Sequence, residues 1–402
     1  MRVLLLSWEY PPVIEGGLGR HVRKLSEQLA GAGVDVHVLT RGGGHLPDDE
    51  VRRGVTVHRV CEPPFPRETG AFVRWVEGMN DDMTAAGAVL CDQLAFDLVH
   101  SHDWLVAAAA QRLARAAGVP WLVTVHATEF GRHQGWVRQE PQSQIHAAER
   151  RMVREADRVI TCSRYMAGHV SRVFGVPEAK VTAIPNGIDP DELTPTGPDG
   201  DPLPASEIAR LRERFAAPDE LLVLMVGRLV YEKGFHLALD AIAPIVAAGT
   251  PVRFVVAGSG TAEPELRAQA HALGLDGRGS FLGWVGDDVL HALYRACDLC
   301  IVPSIYEPFG LVALEAMASG CLCIVADTGG LREVVPADGS AALRFPVADA
   351  GALRLVLEQV LCDDDLRTQL VDEARVHVLR FDWAQVGRKT LGVYRSVCGE
   401  RV

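Results

Sequence analysis

Residues 301–320 read I-V-P-S-I-Y-E-P-F-G-L-V-A-L-E-A-M-A-S-G. The run opens as the apolar end of a strand and turns through residues 304–308. It then enters a helix near Phe309 that closes at Gly320, a residue suited to the left-handed position after a helix. Glu307 therefore sits just ahead of the helix, and Glu315 about two turns inside it. A carboxylate at a strand's C-terminal end, beside the open amides of Gly310 and Leu311 at a helix start, is how parallel α/β sheets present a polar-ligand site. The uncharged end A-M-A-S-G implies burial of the helix against such a sheet. In a plainer account Glu307 caps the helix and Glu315 is solvated, because glutamate is a common helix residue.

The surroundings favour the first account. Strand-like runs at 221–226, 252–257, 280–284, 299–303 and 322–326 alternate with helical patterns, as in a βα series. The first of them leads into G-R-L-V-Y-E-K-G at 227–234. The chain has 40 basic residues, of which four are lysine, so Lys233 in a glycine-bounded turn carries weight. A similar series precedes it, with strand-like runs at 2–8, 34–40, 55–60, 97–102, 121–126, 158–163 and 181–184. Gly16 and Gly17 stand before a helical pattern at 18–29, where glycines bring backbone amides toward an anion. The turn lacks the full dinucleotide G-x-G-x-x-G spacing. His102, Asp103 and Trp104 end one strand, and His126, Thr128 and Glu129 end another. Two polar clusters at adjacent strand ends point to a site rather than to chance exits from a sheet.

Residues 185–190, P-N-G-I-D-P, interrupt the alternation, and 194–204 are rich in Pro, Gly and Asp, as an interdomain linker is. The organisation expected is a domain over 1–187, a linker over 188–204 and a second domain over 205–380. Asp189-x-Asp191 and Asp199-x-Asp201 fall in the linker, away from any strand end, and read as turn residues rather than cation ligands. A length of 402 residues accommodates two such domains. The net charge of −12 disfavours a general nucleic-acid or acidic-membrane binder. The apolar run at 3–6 is too short for a secretory signal and nothing approaches a membrane span, so a cytoplasmic enzyme is expected and membrane association is not. Nine cysteines, mostly in apolar runs, argue for reduced thiols. Cys297, Cys300, Cys321 and Cys323 invite a zinc reading, but strand packing accounts for them.

The joint pattern G-R-L-V-Y-E-K-G followed by E-P-F-G-L-V-A-L-E-A-M-A-S-G resembles the retaining glycosyltransferases of family 4, and it is similar to the bacterial glycogen and starch synthases. Three N-terminal stretches, S-W-E-Y-P-P-V-I-E-G-G-L-G-R-H-V, H-S-H-D-W and T-V-H-A-T-E-F-G-R-H-Q-G-W, resemble more narrowly the actinobacterial α-1,4-glucosyltransferases that make glycogen or methylglucose polysaccharide. The resemblance runs from residue 2 to about 395. It implies the GT-B fold class, α/β with two Rossmann-like domains facing across a cleft, and a final helix over 383–402 that packs back on the N-terminal domain. It also implies a nucleotide-sugar donor, an oligosaccharide or glucan acceptor, no metal and no cofactor. Glycogen synthases carry a lysine just ahead of the Gly-Gly turn, where this chain has Glu15.

By the same resemblance, Arg228 and Lys233 hold the donor diphosphate, whose negative charge grows in the transition state. Glu315 takes the ribose hydroxyls and Trp284 lies beneath the base. Glu307, Phe309, Gly310 and Leu311 hold the donor sugar, with Gly16 and Gly17 as the donor-side turn. His126 approaches the anomeric face, and His102, Asp103, Glu129 and Trp136 are acceptor-side candidates. Glu307 is either a nucleophile or an orienting group, and front-face attack is preferred. Three alternatives stand beside this reading. One is a peripheral-membrane transferase with a lipid acceptor, leaning on Arg150, Arg151, Arg154 and Arg158. The others are an inactive nucleotide-sugar binding protein and an epimerase of the same architecture.

Overall fold

Val3, Leu4, Leu5 and Leu6 have no exposed surface, because the strand they form, β1 (Arg2–Ser7), is covered on both faces. The computed structural model describes residues 1–14, 16–42, 46–62, 66, 71–197 and 199–399; Glu15 and Pro198 lie outside the described residues. Beside β1 stand β2 (Asp35–Gly42), β3 (Asp49–Arg52), β4 (Val55–Cys61), β5 (Leu98–His102), β6 (Trp121–Val125), β7 (Arg158–Thr161) and β8 (Val181–Ala183). They form one sheet in the order β3-β4-β2-β1-β5-β6-β7-β8, parallel except for β3, which runs antiparallel to β4 at the edge. The strand order reverses between β1 and β5, and at such a switch point the strands' C-terminal ends open a crevice. Trp8 and Glu9, Asp103, and His126 follow β1, β5 and β6 there.

The chain divides into two units, Met1–Gly187 with Asp382–Val402, and Ile188–Phe381. The C-terminal helix Trp383–Val397 thus belongs to the first unit, where Trp383, Val386, Leu391 and Tyr394 join its core. Tyr394 is fully buried, and its hydroxyl lies 2.7 Å from Nδ1 of His100. Residues 188–204, expected as a linker, are part of the second unit. Pro190–Leu193 form a short 3-10 turn capped by Asp189, whose side chain accepts from the Asp191 amide.

The second unit holds a six-stranded, wholly parallel sheet made of β9 (Leu221–Val226), β10 (Val252–Ala257), β11 (Gly279–Gly283), β12 (Leu299–Val302), β13 (Leu322–Asp327) and β14 (Leu343–Pro346). Its order is β11-β10-β9-β12-β13-β14, so its switch point lies between β9 and β12. The loops that follow these two strands are 227–234 and 303–310, the stretches singled out in the sequence. Edge strands β3 (D-E-V-R) and β14 (L-R-F-P) were not expected, because the first carries no apolar alternation and the second is a four-residue run ended by Pro346. Gly258 has φ +143°, and a Cβ there would lie 1.9 Å from the Gly227 carbonyl oxygen, so only glycine lets the β9 and β10 loops meet.

In the first unit a buried carboxyl braces the turn after β6. Glu149, on the helix Gln142–Glu155, is 2 % exposed and accepts the Glu129 amide through Oε1 at 2.8 Å. Burial pushes its carboxyl up to about 8, so it is protonated at neutral pH. Burial likewise raises Asp103 to about 6.

Two expectations follow for stability. Gly258→Ala should destabilise the second unit by roughly 2 kcal/mol or more, from positive-φ strain and the clash together; a urea midpoint equal to that of the native chain would contradict this. The neutral Glu149 carboxyl contributes stability that is complete below its ordinary value near 4.5 and is lost as pH rises to about 8. The slope from this group is on the order of 1 kcal/mol per pH unit. Glu149→Gln should therefore flatten the decline of urea-derived stability between pH 5 and 8, and an unchanged decline would show that Glu149 is ionised in the folded chain.

Candidate active site

In the second unit the two loops at the switch point are knitted backbone to backbone. The amides of Ile305 and Tyr306 donate to the Glu232 carbonyl at 2.8 and 3.3 Å. Gly234 has φ +69°, and a Cβ on it would lie 2.0 Å from the Pro303 carbonyl oxygen. This approach sets Lys233 beside Glu307, and Lys233 Nζ donates to Glu307 Oε2 at 2.7 Å. Ser304 Oγ donates to the same oxygen at 3.1 Å. Arg228 is largely exposed and lies 3.7 Å from Oε1 of the buried Glu232.

The helix starts two residues later than the sequence suggests. It spans Leu311–Ala318, preceded by Gly310 at φ +119°, a backbone that does not continue into a helix with a side chain present. Glu315 is accordingly in the second turn's first position rather than two turns in, and Glu307 stands four residues ahead of the helix without capping it. The first amides of this helix, from Leu311 onward, have no intrahelical carbonyl. At its other end Gly320 is left-handed at φ +80°, with Gly320 N–H to Met317 O and Cys321 N–H to Ala316 O closing the turn.

Glu315 is buried, not solvated, and its Oε2 accepts the hydroxyl of fully buried Tyr294 at 3.0 Å. Phe309, named with the donor-sugar residues, is 3 % exposed and its ring packs edge-on against Phe381 at 6.1 Å. Trp284 follows the edge strand β11 and is 69 % exposed. Of the four cysteines considered for zinc, Cys300 and Cys323 lie in β12 and β13, while Cys297 and Cys321 stand just ahead of those strands. All four are buried free thiols, burial raises each of them, and Cys300 and Cys323 are in register on β12 and β13.

In the first unit, Gly16 precedes the helix Gly17–Gly31 in an extended conformation. Its amide donates to Glu9 Oε2 at 3.0 Å, and a Cβ on Gly16 would meet nothing within 4 Å. Asp103 adopts φ +59°, a strained backbone for a residue with a side chain. Its Oδ1 accepts the His126 amide at 2.7 Å, tying the ends of β5 and β6. His102 Nδ1 and His126 Nε2 are 3.1 Å apart. His102 is fully buried while His126 is partly exposed. Burial lowers His126 to about 4 and holds His102 well below its ordinary value, so both rings are neutral at pH 7.

Glu129 is buried and lies 3.1 Å from His133 Nε2 through Oε1, while Trp136 is 80 % exposed. Arg150, Arg151 and Arg154 are exposed but share their helix end with Glu155, and Asp157 follows it. No helix among the described residues is long and apolar enough to cross a membrane. Several participants were not foreseen. Ser304 and Tyr294 hold the two key carboxylates, Glu9 anchors the glycine turn, and Glu149 braces Glu129. Of these, Glu9 and Ser304 lay inside quoted stretches; Tyr294 and Glu149 come from elements with no motif of their own.

Comparison with known proteins agrees with this fold. Residues 16–187 match the family described as Glycosyl transferase 4-like domain, and residues 207–377 match Glycosyl transferases group 1. Glycogen synthase of Mycobacterium tuberculosis is 38 % identical over 416 residues, covering 100 % of this chain and 96 % of that protein. An uncharacterised glycosyltransferase of Methanocaldococcus jannaschii is 33 % identical, covering 98 % of each chain. Among solved structures, sucrose-phosphate synthase from Thermosynechococcus elongatus superposes with a TM-score of 0.82 at 27 % identity, covering 100 % of both chains. With two parallel α/β sheets and relatives of this kind along its whole length, the chain belongs to the GT-B glycosyltransferases of group 1 and family 4 and is similar to the glycogen synthases.

Proposed function

We propose that the chain moves glucose from a nucleotide sugar, ADP-glucose or UDP-glucose, to the non-reducing end of an α-1,4-glucan with retention of configuration. The observation that carries this reading is the Lys233–Glu307 contact of 2.7 Å at the second unit's switch point, beside the exposed guanidinium of Arg228. Two cations at a strand end and adjoining helix amides suit a diphosphate, whose charge rises as the sugar departs. Glu307 takes Lys233 and Ser304 on Oε2, which leaves Oε1 for a donor-sugar hydroxyl. A carboxylate already engaged by an ammonium and a hydroxyl is a weak nucleophile. That favours front-face attack, in which Glu307 orients the sugar. Glu315 serves the ribose hydroxyls, and exposed Trp284 offers an apolar face to the base. In the first unit, His126 serves the transferred sugar, with Asp103 holding its backbone, and Trp136 and Glu129 serve the acceptor. The choice of glucose and glucan rests on the likeness to the M. tuberculosis glycogen synthase.

The chemistry needs no metal in this reading, since Arg228 and Lys233 supply the positive charge and Asp189 is occupied in capping a turn. The direct test is a screen of ADP-glucose, UDP-glucose and GDP-mannose with short maltooligosaccharides, following nucleotide release and digestion of the product by an α-1,4-specific amylase. Turnover only with a lipid acceptor, or nucleotide release without any acceptor, would defeat the glucan assignment.

Arg228→Ala should lower turnover about a hundredfold or more while changing stability by about 1 kcal/mol or less, because the guanidinium is largely exposed although its partner Glu232 is buried. Lys233→Ala should cost at least as much activity, and near-native kinetics in either variant would remove that residue from the diphosphate role. Activity should survive excess EDTA; loss restored by magnesium or manganese would overturn the metal-free mechanism.

A further inference from the structure

One ring nitrogen from each of His21, His102 and His126 lies within 4.8 Å of the other two. The three rings come from separate elements of the first unit, the helix Gly17–Gly31, the end of β5 and the residue after β6. His21 Nδ1 is 2.9 Å from Asn186 Oδ1, so it donates to that oxygen and carries its lone pair on Nε2. Nε2 of His21 is buried with no hydrogen-bond partner among the described residues, and the same holds for Nε2 of His102. A buried polar atom left unmet destabilises the fold unless a ligand engages it. His100, next along the strand, differs: Tyr394 and Thr124 occupy both of its nitrogens. His100 is a satisfied core histidine, whereas the neighbouring three converge with two nitrogens unmet.

We propose that His21, His102 and His126 bind one divalent cation of the zinc class, with Asn186 as the outer partner that fixes the His21 ring. An all-imidazole donor set suits Zn²⁺, Co²⁺ or Ni²⁺ and not the oxygen-seeking Mg²⁺ or Ca²⁺. Nitrogens about a tetrahedral zinc at ~2.0–2.1 Å stand about 3.3 Å apart. Nδ1 of His102 and Nε2 of His126 are already at 3.1 Å, in a hydrogen bond that a cation would replace, and movement of the His21 ring from within 4.8 Å completes the set. Partly exposed His126 gives the route in, and the fourth position is left for water or a sugar hydroxyl. Resting on the reading above, in which His126 serves the transferred sugar, a cation here withdraws that ring and inhibits transfer. It has no part in holding the diphosphate.

The test titrates metal-free full-length protein with Co²⁺, whose four-coordinate complexes have intense visible bands. The expected result is a four-coordinate spectrum saturating at one equivalent and displaced by Zn²⁺. His21→Asn, which keeps a donor toward Asn186 but has no Nε2, should weaken Zn²⁺ binding about a hundredfold. Asn186→Ala, which spares the ligands, should weaken it about tenfold and serves if the first variant does not fold. A pale six-coordinate spectrum, or unchanged affinity in a folded variant, would overturn the site. Transfer assays separate this from the functional reading. Zn²⁺ inhibition relieved by EDTA and absent in His21→Asn supports both, whereas one-equivalent binding without inhibition upholds the cation site and counts against His126 at the transferred sugar.

Discussion

The chemistry of the second unit depends on one close approach, the α-carbon of Gly234 against the carbonyl of Pro303. With φ +69° and only 2.0 Å between a would-be Cβ and that oxygen, any side chain at 234 pushes the loops after β9 and β12 apart. Their hydrogen bonds to the Glu232 carbonyl then fail, and the contact between Lys233 and Glu307 goes with them. That contact is a poor stability device. A half-buried ion pair returns in attraction about what it costs to desolvate, and an apolar pair of similar volume often does as well or better. On the proposed reading, its place at a switch point beside a helix start serves a ligand rather than folding.

The first unit places its polar groups differently. Around the ends of β5 and β6 it buries groups in their neutral forms, with Glu149 protonated and the rings of His100, His102 and His126 uncharged. Asp103 is the intermediate case. Burial raises it to about 6, while the amides of His126 and Ala127 pull in the other direction. It holds its place at the expense of a strained backbone. Neutral groups suit recognition of hydroxyls, which donate and accept without charge, whereas the charged loops of the second unit suit an anion.

Much of this was legible in the sequence because the strands that matter are buried on both faces and read as unbroken apolar runs. The loops that follow them carry the glycine, lysine and glutamate signals. What was not legible follows from the same physics. The edge strand β3 needs no apolar pattern, so D-E-V-R looks like loop, and in β14 the L-R-F alternation that buries Phe345 is cut short by Pro346. The helix after Phe309 starts at Leu311 because Gly310 takes φ +119°, and periodicity alone does not report a glycine's φ. That the Phe309 ring packs edge-on against Phe381 is likewise a contact no motif reports. Tyr294, Glu149 and Asn186 act through partners 20 to 165 residues away, and only the fold makes those pairs adjacent.

The rarity of lysine gives a last step. On the proposed reading, a diphosphate approaching Lys233 meets an ammonium that is already bound to Glu307. An arginine there, in a chain whose basic residues are otherwise almost all arginine, would offer its planar fork to the carboxylate as a bidentate pair and commit its geometry to it. An ammonium has three donors about a compact charge, so it can keep Glu307 while adding a phosphate oxygen. Two carboxylates near an arriving anion would repel it unless each were engaged. Lys233 and Ser304 engage Glu307, and Tyr294 engages Glu315. The sharing of one lysine between a fixed carboxylate and an incoming phosphate ties donor binding to the orientation of Glu307, because movement of the ammonium toward either partner is felt by the other.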